Sequence, residues 1–258
     1  MRASRGGIDI NYVSEGSGPP VMLVHGVGSN LESWDAIAGR LAQRYRVIRM
    51  DLRGHGKSSR IETCRLESFL EDMAMVLDAL GIARTHLVGF SLGGMIAQAF
   101  ALAHPERVEK LALISAVAGR TAEERANVVA RARKVREEGI ASVVAAAEDR
   151  WFTEGFRRNH PELVARRLEE LKANDHGSYA AAYTVFAEGD LGPRLHDIRH
   201  PTLIVTGEHD VGSNTRMARF MHESIPGSSL HILPGLKHSV LVEAPAEIAR
   251  LLEDFLPN

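Results

Sequence analysis

The stretch at residues 86–97, His-Leu-Val-Gly-Phe-Ser-Leu-Gly-Gly-Met-Ile-Ala, constrains the fold of this chain more than any other segment. A short apolar run reaches Ser91 and the pattern then becomes that of an amphipathic helix, which predicts a strand, a sharp turn and a helix. Gly89 and Gly93 bracket the serine because side chains there would collide with the neighbouring strand and helix. The helix would direct unpaired backbone N–H groups at negative charge that develops beside Ser91. The segment therefore predicts a nucleophilic serine, although a chance pair of glycines around a helix-capping serine would give the same letters.

The length and charge of the chain limit the classes of protein to consider. Its 258 residues suffice for one sizeable domain with a large buried core. A formal net charge of −2 argues against nucleic acid or an anionic membrane as a partner. The single cysteine, Cys64, cannot form an internal disulfide, and the first residues lack the apolar core of a signal peptide, so we expect a cytoplasmic protein. No apolar stretch approaches the roughly eighteen residues that cross a bilayer, so we expect no membrane segment.

The order of the predicted elements indicates an α/β fold with an insertion. Short apolar strands alternate with amphipathic helices through residues 1–120 and again through 200–258, which predicts a mostly parallel central sheet with helices on both faces. Residues 8–14 alternate weakly and precede a turn rich in Gly and Pro, so we expect an edge strand there. Residues 121–199 show helical patterning only, and we expect them to form an inserted helical cap. Such a cap would lie over the strand ends and close a pocket above Ser91.

The aromatic side chains of the expected cap are candidates to line this pocket. Five of them are spread along it: Trp151, Phe152, Phe156, Tyr183 and Phe186. We expect about half of them to face a substrate and the others to form the core of the cap. The substrate-binding residues that we predict are Trp151, Phe152 and Tyr183, together with Phe90 beside the serine.

The charges of the expected cap do not select a ligand. Residues 121–199 contain 13 Lys or Arg against 14 Asp or Glu, so the cap as a whole offers no field that attracts anions. The pairs Arg157-Arg158 and Arg166-Arg167 are able to bind one carboxylate, but solvated helix faces are the simpler explanation for both pairs.

Two further residues complete a candidate catalytic triad with Ser91. Asp210 follows a predicted strand at its C-terminal end, where ligands meet sheets of this kind, and Glu208 on the same loop is the alternative carboxylate. His238 lies on the loop after the last predicted strand, and His209 is a weaker candidate for its role. We predict that Asp210 holds the Nδ1–H of His238, which leaves Nε2 to accept the proton of Ser91.

Two backbone N–H groups are candidates for an oxyanion hole. Val27 lies in the Gly-rich loop after a short buried strand, and Leu92 directly follows the serine. The alternative for the first loop is a plain turn in which His25 serves as a structural hydrogen-bonding group. We prefer the catalytic loop because the turn at Ser91 requires donors beside it.

The loop at residues 51–58, Asp-Leu-Arg-Gly-His-Gly-Lys-Ser, is also rich in polar side chains. Asp51, Arg53 and His55 have the chemistry of a second active centre, but glycines interleaved with charges more often form a turn that bonds to itself and braces its neighbours. No pair of His or Cys has the spacing of metal ligands on a predicted helix or knuckle, so we expect no metal and no cofactor.

The order Ser, Asp, His along the chain, together with a set of motifs, carries a resemblance to a known family. The motifs are His25-Gly26, Asp51-x-Arg-Gly-x-Gly-x-Ser58, Gly89-x-Ser91-x-Gly93, Gly207-x-x-Asp210 and His238. In these the chain resembles the α/β-hydrolase family over essentially its full length. Within the family, the segments Gly-Phe-Ser-Leu-Gly-Gly-Met-Ile-Ala-Gln, His104-Pro-Glu-Arg-Val-Glu-Lys-Leu and Arg150-Trp-Phe-Thr-Glu-Gly-Phe156 look like 3-oxoadipate enol-lactone hydrolases.

The resemblance implies a cofactor-free serine hydrolase that opens a small ester or enol-lactone through an acyl-serine intermediate. A broad-range carboxylesterase, including one that hydrolyses polyesters or carbon–carbon bonds, is the alternative enzyme. Some proteins with this fold are ligand receptors that keep the triad but turn over their ligand negligibly. We rank a receptor function lower because the chain shows no added interaction segment. A small-molecule substrate is the partner that we expect, and the oligomeric state is left open.

Overall fold

The structure is a computed structural model and describes residues 1–257. Its eight strands form one sheet in the order β1-β2-β4-β3-β5-β6-β7-β8. Their bounds are β1 (Arg2–Arg5), β2 (Ile8–Glu15), β3 (Pro20–Val24), β4 (Arg46–Met50), β5 (Thr85–Phe90), β6 (Val108–Ile114), β7 (Thr202–Gly207) and β8 (Ser229–Leu233). From β4 to β8 all neighbouring strands pair in parallel, whereas β1 and β2 are antiparallel additions at one end. The mostly parallel sheet predicted from the sequence is confirmed.

The strand expected at the edge of the sheet is not at the edge. It forms β2, and β1 pairs with its outer side from Arg2↔Asn11 to Arg5↔Ile8. Only one residue of β1, Ala3, is buried. A strand with a single buried residue has no alternation to recognise, so its pairing became visible only in the assembled sheet.

Eleven α-helices accompany the strands within residues 1–257. They are α1 (Asp35–Leu41), α2 (Leu66–Ala79), α3 (Leu92–Ala103), α4 (Ala122–Glu138), α5 (Ala141–Trp151), α6 (Glu154–Asn159), α7 (Pro161–Lys172), α8 (His176–Glu188), α9 (Thr215–Ser224), α10 (Val240–Glu243) and α11 (Pro245–Phe255). None of them is both long and apolar enough to cross a membrane. No group of three or more His, Cys, Asp or Glu side chains among these residues is arranged to hold a metal ion.

Both faces of the sheet are covered by helices, because alternate side chains of each central strand enter different cores. In β3, Val21 and Leu23 pack into a cluster that includes side chains of α1 and α11. Met22 and Val24, which point the other way, pack with side chains of α2 and α3. Each buried side chain of this size contributes roughly 1.5–3 kcal/mol to folding. The central strands are therefore held firmly, and their C-terminal ends are fixed points for the loops that follow.

The chain between β6 and β7 forms five α-helices, α4 to α8, which we call the helical insertion. Helix α4 begins with a capping box between Thr121 and Glu124. The helical insertion contacts the loops that follow β3 and β8. Nη1 of Arg167 donates to the carbonyl of Gly28 at 2.9 Å, and the N–H of Ser239 donates to the carbonyl of Trp151 at 3.0 Å. The helical insertion therefore covers the C-terminal edge of the sheet.

Candidate active site

Ser91 occupies the sharp turn between β5 and α3. Its backbone φ of 55° lies in the left-handed region, which costs a non-glycine residue about 1–3 kcal/mol. A Cβ added at Gly89 would lie 2.2 Å from the carbonyl oxygen of Gly93, and one at Gly93 would lie 2.2 Å from that of Val24. Only glycine fits at either position, which is the steric reason expected from the sequence. The turn leaves Ser91 at the N-terminus of α3, with the positive end of the helix dipole beside it.

Asp210 lies in the loop that follows β7, and its side chain is fully buried. Its Oδ1 accepts hydrogen bonds from the N–H groups of Gly212 and Ser213, each at 2.9 Å. Its Oδ2 accepts from Nδ1 of His238 at 2.7 Å. Burial by itself would raise the pKa of Asp210, but the charge of His238 and these hydrogen bonds outweigh burial and hold that pKa below its ordinary value. Asp210 is therefore ionised at neutral pH and able to orient the imidazole.

His238 lies in the loop that follows β8, and its Nδ1 is the donor to Asp210. Its Nε2 is left as the acceptor of the neutral ring. The ring packs against Phe90, with 5.1 Å between ring centroids, so the imidazole is held from two sides. Ser91, Asp210 and His238 all line one cavity of about 380 Å³.

Ser91 and His238 face the same cavity but make no hydrogen bond to each other within residues 1–257. Catalytic hydrogen bonds are often long in unliganded sites and tighten when a substrate is held. A hydrogen bond between Ser91 and His238 would therefore require the two side chains to move closer.

The alternative acid and base are not part of this arrangement. Glu208 is exposed, and its carboxylate accepts a hydrogen bond from the N–H of Gly235 at 2.8 Å. His209 has a side chain that is 60% exposed and lies 3.9 Å from the Glu208 carboxylate. Both residues brace the surface of the loop, while Asp210 points inward to His238.

The two backbone amides predicted for an oxyanion hole lie close to the serine. Val27 lines the cavity, and Leu92 is the first residue of α3. Neither N–H donates a hydrogen bond to another described residue, so both are free to donate to a ligand. Gly26 brings the first loop close to the turn, because a Cβ added there would lie 3.1 Å from Cβ of Ser91. The arrangement suits a substrate oxygen bound between the two loops.

His25 and His55 hold the loop that carries Val27. Nε2 of His25 accepts from the N–H of Leu52 at 3.0 Å, and Nε2 of His55 accepts from the N–H of Gly28 at 3.0 Å. Both rings therefore carry their proton on Nδ1, which donates to a backbone carbonyl. Burial disfavours the charged ring and lowers the pKa of His25 to about 4 and that of His55 to about 3. These residues are neutral structural groups at pH 7.

The polar loop at residues 51–58 braces its neighbours and is not a second active centre. The carboxylate of Asp51 accepts hydrogen bonds from the N–H groups of Leu31 and Lys57, at 2.8 and 2.9 Å. Arg53 forms a bidentate pair with Asp72 of α2, at 2.6 and 2.7 Å. Asp51 thus binds backbone groups of its own loop and of a neighbouring loop, Arg53 is paired with α2, and the prediction of a self-bonded turn is confirmed.

Three of the four predicted substrate-binding residues line the cavity, namely Phe90, Trp151 and Tyr183. Phe152 does not, and its prediction is wrong. It is fully buried in a separate cluster with Val164 and Leu168. The reason is local, because α5 ends at Trp151 and the backbone turns to an extended conformation at Phe152, so adjacent side chains leave in different directions. Sequence spacing alone does not show which of two consecutive aromatics faces inward.

Four arginines also line the cavity, and they were not among the predicted site residues: Arg120, Arg131, Arg150 and Arg167. The near-zero charge of residues 121–199 suggested a cap without a field for anions, but its charges are segregated, with arginines facing the cavity. Arg167 is one of the four, and its guanidinium lies 4.5 Å from the centroid of the Trp151 ring. Arg167 belongs to one of the two arginine pairs that the sequence offered as carboxylate binders, whereas no pattern in the sequence distinguishes the other three from solvated arginines.

The architecture and the site together are those of a hydrolase built on the α/β-hydrolase fold. A family model described as the alpha/beta hydrolase fold matches residues 19–245, and the chain belongs to that family. The 3-oxoadipate enol-lactonase 2 of Acinetobacter baylyi is 31% identical, over 95% of this chain and 92% of that protein. The 2-hydroxy-6-oxo-2,4-heptadienoate hydrolase of Pseudomonas putida is 30% identical, over 97% of this chain and 94% of that protein. The crystal structure of the enol-lactonase from Burkholderia xenovorans LB400 superposes with a TM-score of 0.93 at 28% identity and covers 99% of both chains.

These similarities confirm the resemblance to enol-lactone hydrolases that the sequence motifs carried. The relatives span nearly the whole of this chain, so the likeness includes the helical insertion as well as the sheet. The relatives also differ in the bond that their names describe, so the family assignment establishes a hydrolase and leaves the substrate to be argued from this site.

Proposed function

We propose that this protein is a serine hydrolase that opens a small ester or enol-lactone through an acyl-Ser91 intermediate. The observation that carries the proposal is the 2.7 Å hydrogen bond between His238 and a buried, ionised Asp210, in the cavity that Ser91 also lines. A carboxylate in that position holds the N–H of the neutral imidazole on Nδ1 and turns Nε2 away from the acid. The enol-lactonase relatives support a lactone as the substrate.

In the first half of the proposed reaction, Nε2 of His238 takes the proton of Ser91 while Oγ attacks the carbonyl carbon. The carbonyl oxygen becomes an oxyanion and accepts hydrogen bonds from the N–H groups of Val27 and Leu92. Collapse of this intermediate breaks the bond to the leaving oxygen, which takes the proton back from His238. In a lactone the leaving oxygen stays attached to the acyl chain, so the opened ring is held on Ser91 as one piece.

In the second half, water replaces the serine. His238 takes a proton from the water as it attacks the acyl carbon, and then returns a proton to Oγ of Ser91. The products are the free acid and the regenerated enzyme. No cofactor enters either half of this scheme.

We further propose that the helical insertion acts as a cap over the cavity. The hydrogen bond between Ser239 and Trp151 ties α5 to the loop that carries His238, and Glu243 accepts hydrogen bonds from Thr153 at 2.8 and 2.9 Å. Movement of the cap would therefore displace the loop that carries His238, the proposed base. A closed cap would exclude water during acylation and strengthen the hydrogen bonds to the oxyanion.

The test is a Ser91→Ala variant assayed with p-nitrophenyl acetate. We expect turnover to fall by at least ~10³-fold with an unchanged circular dichroism spectrum, and we expect a fluorophosphonate probe to label the wild type alone. Ser17→Ala is the control, because Ser17 is exposed and lies outside the cavity lining, and its turnover should equal that of the wild type. Near wild-type turnover by Ser91→Ala would end the proposal.

A substrate panel separates the enzymes that this site would serve. Enol-lactones, short acyl esters and vinylogous diketones report lactone, ester and carbon–carbon bond hydrolysis respectively. We expect the largest kcat/KM with a lactone. A preference for the diketone would move the protein toward the carbon–carbon hydrolases represented among its relatives, and labelling without multiple turnover would favour a receptor.

A further inference from the structure

The charges that face the cavity are unbalanced. Its arginines are Arg120, Arg131, Arg150 and Arg167, and its carboxylates are Glu124 and Asp210. Both carboxylates already have partners, because Glu124 pairs with Arg216 and Asp210 with His238. Arg167 lies 3.6 Å from Glu170 on its own helix. Three cavity arginines, Arg120, Arg131 and Arg150, thus form no ion pair with a carboxylate in the described part of the chain. The carboxylate of Asp190, which accepts from the backbone N–H of Arg120, lies near enough to act on the charge of Arg120 and raise its pKa.

Arg120 is the first of these three. Its Nη1 donates to the carbonyl of Gly189 at 2.8 Å, and its guanidinium lies 4.7 Å from the centroid of the Phe186 ring. Its Nη2 is buried and makes no hydrogen bond to any described residue. Burial disfavours the charged form and lowers the pKa of Arg120. A buried guanidinium nitrogen without an acceptor is costly, and an anionic group bound beside Arg120 would stabilise the charge of this side chain.

Arg131 of α4 and Arg150 of α5 are close enough to interact. Nη1 of Arg131 donates to the hydroxyl of Tyr183 at 3.3 Å, while Arg150 makes no hydrogen bond or ion pair with a residue in 1–257. Burial lowers the pKa of Arg150, and the charge of Arg131 lowers it further. Two neighbouring guanidinium groups that are half withdrawn from water repel each other, and a carboxylate bound between them would offset both effects.

Exposed arginines on α4, the helix that carries Arg131, show why the three cavity arginines are unusual. Arg133 and Arg136 of α4 also form no ion pair with a described residue, but both are exposed and water solvates them. The half-buried arginines that face the cavity have lost part of that solvation. The stabilising partner that they lack is therefore to be supplied by whatever fills the cavity.

The three arginines form two positions. Arg120 stacks on Phe186, whereas Arg131 bonds to Tyr183 and has Arg150 as its neighbour. The rings of Phe186 and Tyr183 lie edge to face with 5.9 Å between their centroids, so the two positions are neighbours. One carboxylate would balance only one of the three charges, and a cavity of about 380 Å³ holds a small molecule with two.

We propose that the substrate carries two carboxylates, one bound by Arg131 and Arg150 and the other by Arg120. This deepens and rests on the proposed function, since the same cavity would hold the bond that Ser91 attacks. The substrate class is then an ester or lactone of a polycarboxylic acid that keeps two free carboxylates beside the reacting carbonyl. Selectivity would come from charge, because a neutral ester would form no ion pair with any of the three arginines.

The test measures binding without turnover, in the Ser91→Ala variant. Calorimetry with adipate, monomethyl adipate and dimethyl adipate, and with the same series for glutarate, compares two, one and no charges on one carbon frame. We expect the Kd to rise roughly tenfold or more for each carboxylate that is methylated, in keeping with a hydrogen-bonded charge pair. Equal Kd values across both series would overturn the proposal. Butyl phosphate binding as tightly as the best dicarboxylate would also overturn it, in favour of a single dianion site.

Variants assign the two positions. Adding Arg120→Gln or Arg131→Gln to Ser91→Ala should bring the Kd of the dicarboxylate close to that of its monomethyl ester. Arg131→Lys, which keeps the charge, should recover part of the affinity. Arg133→Gln, an exposed arginine on the same helix as Arg131, should change nothing. An equal loss in Arg133→Gln, or no loss in the two cavity variants, would contradict the assignment.

Turnover of p-nitrophenyl acetate by the wild type separates this inference from the proposed function. Ser91-dependent turnover without any preference for dicarboxylates would leave the hydrolase proposal standing and remove the charge-based substrate class. Tight dicarboxylate binding with no turnover of esters or lactones would do the opposite.

Discussion

Replacing Asp210 by asparagine isolates the electrostatic part of the proposed triad. Asparagine keeps a carbonyl oxygen for the N–H groups of Gly212 and Ser213, but it removes the negative charge beside His238. Two groups joined by a 2.7 Å hydrogen bond have charge centres about 4 Å apart, and at an effective dielectric constant of about 20 their attraction is about 4 kcal/mol. In the proposed reaction the imidazolium forms as Ser91 gives up its proton, so the loss would fall on the transition state. We expect kcat to drop about 10³-fold, at 1.36 kcal/mol for each factor of ten.

The assay is steady-state hydrolysis of p-nitrophenyl acetate at pH 7, with thermal unfolding to verify that the variant folds. Glu208→Gln is the matched control, because Glu208 lies on the same loop, is exposed and loses only part of its hydrogen bond to the N–H of Gly235. We expect its kcat to stay within about twofold of the wild type. If Asp210→Asn kept more than a tenth of the wild-type kcat, or if Glu208→Gln lost as much as Asp210→Asn, the reasoning about charge would be refuted.

Two further predictions concern the turn at Ser91 and the loop that carries Val27. Gly93→Ala should abolish soluble folded protein or activity, because its Cβ would lie 2.2 Å from a backbone carbonyl, whereas Gly155→Ala, with open space around its Cβ, should leave the circular dichroism spectrum and turnover intact. The pKa of His55 is about 3 in the folded protein and near 6.5 in the unfolded chain. Between these two pH values His55 is protonated only in the unfolded chain. The free energy of unfolding therefore falls as the pH falls through this window. Between pH 7 and pH 5 this residue should account for about 2 kcal/mol, and urea unfolding of His55→Gln should show a correspondingly smaller loss than the wild type; an identical loss would show that His55 is already charged in the folded protein.

Local sequence was sufficient wherever one backbone geometry admits one kind of residue. Gly89 and Gly93 predicted the turn at Ser91 because any side chain would overlap a carbonyl oxygen, that of Gly93 in the first case and that of Val24 on the neighbouring strand in the second. The central strands were equally clear, because a parallel strand covered on both faces is apolar at nearly every position. Asp210 was recognised from its place after a strand, and the structure gives it the contact with His238 that Glu208 lacks.

The orientation of side chains at helix ends and on charged helices was beyond the sequence. Trp151 and Phe152 are neighbours with the same chemistry, yet one faces the cavity and the other a small core, because α5 ends between them. Arg131 and Arg133 are similarly alike in sequence, and only the packing of α4 against the rest of the helical insertion half-buries the first and exposes the second. A count of charges over residues 121–199 averages over both faces and therefore missed the cationic cavity.

The amino-acid sequence by itself determined the fold class, the turn that carries Ser91 and the order of the three polar residues, because each of these follows from sterics and periodicity within a short segment. Tertiary structure alone decided which of the aromatic and cationic side chains share a cavity with that serine. Convergence of distant segments depends on how the helices pack over the ends of the strands. The sequence of a helix with charges on several faces does not show which of those faces will point into the cavity. The position of the candidate nucleophile, which depends on one residue and its neighbours, was thus predictable from the sequence. The lining of the cavity, which comes from several helices and loops, was not.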